Sequence, residues 1–325
     1  IIASLFAFVL VFAVCIYFGS GDLSPDRVID GLLGVGSWSD NAIVQNIRIP
    51  RMLCCVLVGA ALSVAGMSMQ SLFKIPMASP SVLGLSSGAS FGAAMAISYG
   101  ILSFLDGFGV TVMAFVFCFG TMGLVYAVAY SRYGVSTIML LLSGMAISAF
   151  FSGLTSLIEY FADDATLADI IFWMMGSFNK CGWSAFVVAV FPIAFGLILI
   201  LMNLREMNIM SMGEDQARTL GVNVKVTRMM LIVGTTLLVA GSVSISGTIG
   251  FVGLIVPHIL RMMVGPDHMY LGPLCLVGGG IFMLLMDTIA KSVIVGELPV
   301  GILTSLLGAP FFLYILRTRK KDIWG

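Results

Sequence analysis

Apolar segments long enough to cross a lipid bilayer follow one another along almost the whole chain. Hydrophobic residues make up 59% of the sequence and charged residues only 10%, whereas roughly a quarter of the residues in a soluble domain are charged. A helix of about 20 apolar residues crosses the roughly 30 Å hydrocarbon core and satisfies its own backbone hydrogen bonds. The sequence therefore predicts an all-α integral membrane protein.

The apolar pattern predicts ten membrane-spanning helices. They cover residues 1–18, 50–71, 82–103, 110–130, 136–158, 183–203, 228–246, 249–264, 271–290 and 298–316. Residues 22–40 and 165–178 have helical character but are too polar or too short to span. The first segment also has the length of a signal peptide, but no small-residue cleavage site follows it, so we interpret it as a span. Residues 1–325 are predicted to form a single transmembrane domain.

The positive charges are unevenly distributed between the ends of these segments. Lys and Arg near span ends are retained on the cytoplasmic side of a membrane. If both termini are cytoplasmic, most of the cations lie on that side, and so does the unusually polar stretch 212–228. The exceptions on the outer side are Arg27, Arg48, Arg51, Lys180 and Lys291.

Three of these outer cations have two interpretations each. Arg48 and Arg51 stand at the outer end of the second span, where long side chains can snorkel to lipid phosphate or dock an acidic patch of an external partner. Lys291 follows Asp287 by four residues, so the two side chains share a helix face and are expected to form an ion pair.

Small residues recur every four positions in the fifth span, at Gly144, Ser148, Ser152 and Ser156. They share one helix face, which either lets a neighbouring backbone approach closely or lines a wet route with hydroxyl groups. Glu159, at the outer end of the same segment, would extend such a route to the surface.

Motifs for chemistry on this chain do not occur in the sequence. A phosphate-binding Gly-x-x-x-x-Gly-Lys-Ser/Thr loop, a zinc-binding His-Glu-x-x-His helix and a Gly-x-Ser-x-Gly elbow are all missing. The six Cys residues and the two His residues lack metal-ligand spacing. We therefore expect a transport subunit and not an enzyme, with no catalytic site, no metal site and no nucleic-acid partner. Asp287 alone is placed for ion coupling, and an ion-coupled secondary carrier is the alternative from another class.

Several motifs resemble, in order, the permease subunits of FecCD-type ABC importers, which carry ferric siderophores, haem or cobalamin. The matching segments are "IRIPRMLCCVLVGAALSVAGMSMQSLFKIPMASPSVLGLSSGASFGAAMA", "WMMGSF", "GEDQARTLGV", "GTIGFVGLIVPHILRMMVGPDH" and "ELPVGILTSLLGAPFFLYIL". The resemblance implies a type II importer permease with ten helices per subunit, working as a homodimer in the inner membrane of a bacterium. It also implies two ATPase subunits and a substrate-binding protein as partners. ATP and Mg would be held by the ATPase, so this chain would bind no cofactor.

The same resemblance explains the polar stretch as a pair of cytoplasmic coupling helices, at about 205–227, that contact the ATPase. The implied contact residues are Gly213, Glu214, Asp215, Ala217, Arg218, Leu220 and Gly221. Glycines would bracket the first helix, the acids would suit its N-terminal turn, and Ala217 and Leu220 would form an apolar contact face. An ordinary solvated loop is the alternative.

Further roles carry over from the resemblance one position at a time. Arg48 and Arg51 match outer arginines that pair with glutamates of the binding protein, and Lys291 stands where some members have Arg. Ser136 and Thr137 match a cytoplasmic gate before the fifth span. Ferric siderophore is the expected substrate, with haem and cobalamin as alternatives.

Overall fold

A computed structural model of the chain describes residues 2–17, 24–75, 78–102, 104, 108–131, 134–293 and 297–318. The helices are α1 Ile2–Tyr17, α2 Pro25–Leu33, α3 Trp38–Ala42, α4 Ile49–Phe73, α5 Leu85–Tyr99, α6 Phe108–Ala129, α7 Thr137–Phe161, α8 Asp164–Met174, α9 Trp183–Leu201, α10 Leu204–Met212, α11 Glu214–Thr219, α12 Val224–Ser246, α13 Val252–Val264, α14 His268–Val293 and α15 Val300–Thr318. A π-helical segment, Ile43–Arg48, leads into α4, and a 3-10 turn, Pro80–Leu83, precedes α5. Two-residue strands, β1 Tyr130–Ser131 and β2 Gly134–Val135, pair antiparallel before α7.

The predicted all-α architecture is confirmed. Each of the ten predicted apolar segments is a helix, displaced from its predicted bounds by only a few residues. Within the described ranges, six helical stretches are long and apolar enough to cross a membrane, and they contain α4, α6, α7, α9, α12 and α14. The other four predicted segments form α1, α5, α13 and α15.

Contacts between glycines bring the central helices together. A Cβ atom on Gly59 of α4 would overlap the carbonyl oxygen of Gly279 of α14, and a Cβ atom on Gly66 would overlap that of Gly253 in α13. Helices in lipid gain little from the hydrophobic effect, so backbone approach of this kind supplies packing contacts instead. As a result α4 lies at the centre of the bundle and is buried along most of its length.

The two ends of α4 lie in different charge environments. Arg51 near its first turn contacts Asp287 and Glu297, whereas Lys74 at its end shares a surface pocket with Arg261 and Ser211. A helix of 25 residues rises about 37 Å, which is enough to separate the two groups across a bilayer. Arg51 and the polar stretch beginning at 212 therefore lie at opposite ends of the bundle.

Candidate functional site

A cavity of about 680 Å³ opens between α5, α7 and the beginning of α15. Hydroxyl side chains make up much of its wall: Ser81, Ser86, Ser87, Ser90, Ser152, Thr155, Ser156, Thr248 and Ser305. Methionine and aliphatic side chains supply the apolar part, and Glu159 is the one charged residue among the described residues that line it. The cavity is therefore polar but carries little charge.

One stripe of α7 forms a wall of this cavity. Ser152, Thr155, Ser156 and Glu159 are spaced by three and four residues and therefore share a helix face. Thr155 donates its hydroxyl to the Phe151 carbonyl, at 2.9 Å, while Ser152 and Ser156 are exposed to the open space. Their placement agrees with the wet-route interpretation of this half of the predicted small-residue face.

The other half of that face packs against protein. A Cβ atom on Gly144 would lie 2.7 Å from the Val82 carbonyl oxygen, and Ser148 Oγ lies 2.7 Å from Ser87 Oγ. Gly144 and Ser148 are not among the described residues that line the cavity. Close packing, and not contact with a passing substrate, therefore describes both positions in this structure.

Sequence reasoning missed the contribution of α5. Gly88 and Gly92 of α5 face α6, at Thr121 and Met113 respectively. Ser86 and Ser90 have the same four-residue spacing on a different face, which is the one that lines the cavity. A search for hydroxyls at helical spacing would have found them.

Hydrogen bonds to backbone carbonyl groups join the end of α8 to the rim of the cavity. The Thr248 hydroxyl donates to the Met174 carbonyl, and the Gly301 amide donates to the Gly176 carbonyl at 3.2 Å. The short helix predicted at 165–178 is therefore present, and its C-terminal turn is joined both to the loop before α13 and to the start of α15.

Asp163 adds a second carboxylate next to Glu159 in sequence, between α7 and α8. A hydrogen bond from the Thr166 side chain holds the pKa of Asp163 below its usual range, with backbone amides adding to the effect. The carboxyl group therefore stays ionised at neutral pH. This end of α7 therefore carries negative charge.

The residues predicted to form a cytoplasmic gate lie at the other end of α7. Ser136 follows the β1–β2 hairpin and is exposed, and the helix begins at Thr137, which is half-buried. Neither residue is among those that line the cavity. About 33 Å of helix separates Thr137 from Glu159, so the two positions lie near opposite membrane boundaries. The gate role stays a prediction.

The segment predicted as coupling helices, at about 205–227, forms two short helices, α10 and α11, that meet at Gly213. Gly213, with φ of 142°, ends α10, and Gly221, with φ of 83°, follows α11. The two glycines flank a helix as predicted, and both backbone conformations favour glycine. The helix that they flank is α11, the second of the pair and not the first, because α10 already precedes Gly213. Glu214 and Asp215 occupy the first turn of α11 as predicted, and Glu214 forms an ion pair with Arg228.

Ala217 and Leu220 do not form the apolar contact face expected from their spacing. Ala217 is fully buried against Met210 and Val224, whereas the Leu220 side chain is 61% exposed. The expectation is wrong because α11 ends at Thr219, so Leu220 lies beyond the helix and its direction does not follow helical periodicity. Met212, at the end of α10, is a second exposed apolar residue of this segment, with 66% of the residue exposed. The exposed Arg218 lies between Met212 and Leu220 in sequence.

The outer cations Arg51 and Lys291 form a buried ion cluster. Arg51 Nη2 lies 2.8 Å from Asp287 Oδ1, and Arg51 Nη1 lies 2.8 Å from Glu297 Oε2. Lys291 Nζ lies 2.5 Å from Asp287 Oδ2, so the predicted ion pair is present. Asp287 is thus neutralised by two cations, which makes it a poor proton or sodium relay.

Arg48 is buried as well, and it donates to the carbonyl groups of Ile16 and Tyr17 at the end of α1, at 2.9 Å and 3.4 Å. Neither Arg48 nor Arg51 presents its charge to solvent, with 4% and 5% of each residue exposed. An external partner can pair only with an accessible guanidinium. In this structure both arginines therefore bind partners within the chain, and neither lies at the surface, where docking would require it.

The described part of the chain contains no group of three or more His, Cys, Asp or Glu side chains that could hold a metal ion. All six cysteines are free and buried, as expected for small apolar side chains in a core. The chemistry that this arrangement supports is passage of a solute along a hydroxyl-lined wall.

The model of the FecCD transport family matches residues 7–318. This chain belongs to the FecCD transport family. The family consists of permease subunits of ABC transporters, which work with ATPase and substrate-binding partners. This FecCD chain is accordingly a multi-pass membrane protein.

The relatives of this FecCD chain are named for different substrates. It is 37% identical over 321 residues to the hemin transport system permease protein HmuU of Yersinia pestis, covering 97% of this chain and 96% of the relative. It is also 37% identical over 280 residues to the molybdate import system permease protein MolB of Haemophilus influenzae, covering 86% and 82%. Other relatives are named as cobalamin and iron chelatin permeases. Molybdate was absent from the substrates that the motifs suggested.

A solved structure shares the fold over almost its whole length. An inward-facing metal-chelate type ABC transporter superposes with a TM-score of 0.85 and 32% sequence identity, covering 98% of both chains.

Proposed function

We propose that this chain is the membrane-spanning subunit of an ATP-driven importer of iron chelates, with a ferric siderophore as the first substrate to test. The observation that carries the proposal is the open, hydroxyl-lined cavity beside α7 and α15. A large chelate needs a broad surface that it contacts weakly, and serine hydroxyls beside methionine supply one. Haem and cobalamin are the alternatives within the same class.

Charge at the cavity argues against a small oxyanion such as molybdate. Glu159 lines the wall, and no cation is among the described lining residues. An oxyanion would approach this carboxylate at an energetic cost, and so would the propionate groups of haem, whereas a neutral or cationic chelate would not. The relative named for molybdate therefore does not decide the substrate of this chain.

We also propose that the functional unit is a homodimer with ten spans in each subunit and both termini in the cytoplasm. The six long apolar stretches and the four shorter helices α1, α5, α13 and α15 together supply ten. Ser305, Leu306 and Leu307 of α15 are exposed next to the cavity, so a second copy placed there would enclose the path. Residues 1–325 would then act as one permease domain in the inner membrane of a bacterium, with α10 and α11 toward the ATPase.

The test is uptake into proteoliposomes that contain the chain, its ATPase and its binding protein. Labelled ferric hydroxamate siderophore, haem, cobalamin and molybdate are supplied separately, with ATP or with a proton or sodium gradient alone. We expect accumulation of one iron complex that requires ATP hydrolysis. Accumulation under an ion gradient without ATP would identify a secondary carrier instead, and uptake of molybdate alone would refute the charge argument.

Filling the α7 stripe is expected to block the path. Ser152→Leu combined with Ser156→Leu adds apolar volume where the wall is open, and we expect the uptake rate to fall about tenfold or more. Uptake of radiolabelled substrate measures this, together with ATP hydrolysis as a sign of intact assembly. Ala194→Leu, on the exposed side of α9, adds one Leu side chain away from the cavity and should leave uptake unchanged. An equal loss in both variants would mean that the cavity is not the path.

A further inference from the structure

The beginning of α15 forms one side of the cavity and packs directly against two backbone segments. A Cβ atom on Gly301 would lie 2.2 Å from the Met175 carbonyl oxygen and 3.0 Å from that of Thr248. The Gly301 amide also donates to the Gly176 carbonyl, at 3.2 Å. Gly301, Met175 and Thr248 all line the cavity. The line of contact between these three residues, here called the α15 seam, is therefore part of the cavity wall.

Glu297, three residues before α15, has an unfavourable backbone conformation, with φ of 57°. A residue that carries a Cβ atom enters this left-handed region only at a cost in free energy, because the Cβ atom approaches the following carbonyl oxygen. Strained residues of this kind persist where the surrounding contacts hold them in place. The contacts around Glu297 therefore offset the cost of its conformation.

An ion pair and a backbone hydrogen bond hold this residue. Arg51 Nη1 lies 2.8 Å from Glu297 Oε2, and the next amide, that of Leu298, donates to the Ala290 carbonyl of α14 at 3.2 Å. Pro299 follows, and its ring fixes φ. Little backbone freedom remains between Glu297 and α15, so the orientation of Glu297 sets the position of the first turn of α15.

The Arg51–Glu297 pair is the part of the ion cluster that separates most easily. Arg51 donates to Asp287 Oδ1 from both Nε and Nη2, at 3.2 Å and 2.8 Å, and the Asp287 side chain is 2% exposed. The Glu297 side chain is 21% exposed, so water can solvate its carboxylate after separation. Because the guanidinium keeps Asp287, separation of Glu297 does not leave it as an unpaired buried charge.

We propose that Glu297 is a positioning residue that acts as a latch on α15. While it is paired with Arg51, the α15 seam is closed. When the pair separates, relief of the backbone strain favours a released state in which the first turn of α15 moves away from α8. Packed interfaces adopt discrete arrangements, so two states are expected. Only the use of this latch in opening a path for a substrate rests on the proposed function.

The test measures how fast a buried cysteine on α15 reacts with a maleimide in the purified full chain in detergent. Val300 begins α15 and is 1% exposed, so the thiol of a Val300→Cys variant reacts only while the seam is open. Its labelling rate is then proportional to the population of the released state. All six native cysteines are buried, which keeps background labelling low, and mass spectrometry assigns the label to position 300.

Glu297→Ala and Glu297→Gly, each combined with Val300→Cys, separate the ion pair from the strain. Both remove the carboxylate, but Ala keeps the strained conformation whereas Gly adopts it freely. We expect Ala to raise the labelling rate about thirtyfold, since a hydrogen-bonded charge pair is lost. Gly should raise it only about threefold, because the closed seam is no longer strained. An ordinary anchoring ion pair predicts that the more flexible Gly variant is labelled at least as fast as Ala.

Two matched controls show whether the effect is confined to α15. Glu214→Ala removes the acid of another ion pair, with Arg228, and should leave labelling at position 300 unchanged. Val224→Cys places a thiol at the buried first residue of α12, and Glu297→Ala should not change its labelling rate. Thermal unfolding confirms that each variant is folded.

Three results would overturn the proposal. The first is an unchanged labelling rate at position 300 in the Glu297→Ala variant, and the second is equal rates in the Ala and Gly variants. The third is faster labelling at positions 300 and 224 together, which would indicate general loosening of the fold. Labelling requires no substrate, ATPase or binding protein, so failure of the latch is distinguishable from failure of the proposed transport function.

Discussion

Leu220→Asp is expected to reduce ATP-driven uptake about 30-fold or more while the chain remains folded. Leu220 follows α11 directly and is 61% exposed. An apolar residue that becomes buried at the centre of a contact with a partner contributes at least about 2 kcal/mol to binding. A carboxylate placed there would have to be desolvated without a counter-ion. Uptake and substrate-stimulated ATP hydrolysis in proteoliposomes measure the effect.

Leu220→Met is the matched variant, because it keeps an apolar side chain of similar size and should retain most of the uptake. Exposed positions rarely change stability by more than about 0.5 kcal/mol, so thermal unfolding of Leu220→Asp should be close to that of the native chain. If a folded Leu220→Asp variant took up substrate at the native rate, the segment around Leu220 would not couple the chain to the ATPase.

Arg51→Met is expected to destabilise the fold by about 3 kcal/mol, because it leaves Asp287 and Glu297 without the guanidinium that they share. Asp287 is 2% exposed and retains only Lys291, so part of its buried charge is uncompensated. For a chain of this size the midpoint of thermal unfolding in detergent should fall by about 5 °C or more.

Arg205→Met removes the same charge from an exposed position on α10 and should leave the midpoint unchanged. The affinity of the chain for its binding protein distinguishes the two roles considered for Arg51, which are docking and the ion cluster. If Arg51→Met unfolds like the native chain but loses affinity for the binding protein, then docking and not the ion cluster explains this arginine. Loss of stability before any loss of affinity would support the intramolecular role.

The sequence predicted secondary structure correctly wherever a single local constraint determines it. The length of an apolar run fixes a spanning helix because unpaired backbone groups cannot remain in lipid, and the ten predicted segments are helices on this account. Gly213 and Gly221 marked the ends of α11 for a similarly local reason, since their backbone angles favour glycine. The motifs also gave the family correctly, because they lie in order along the chain.

Side-chain direction was less predictable, as Ala217 and Leu220 show. Their spacing suggested one face, but the helix ended between them. Gly144 and Ser156 likewise belong to one stripe of α7, yet one packs on the turn before α5 and the other lines the cavity. A helical period gives the angle between side chains but not the neighbour that each one meets.

The sequence by itself determined that this protein is a helical membrane protein, where its helices lie and which family it belongs to, because these depend on local composition and on ordered motifs. The tertiary structure alone decided which groups meet. Arg51 reaches Asp287 across 236 positions of sequence, and the hydroxyl-lined cavity takes its wall from residues of α5, α7 and α15. Such contacts are set by how the helices cross, and close glycine approaches fix those crossings in three dimensions.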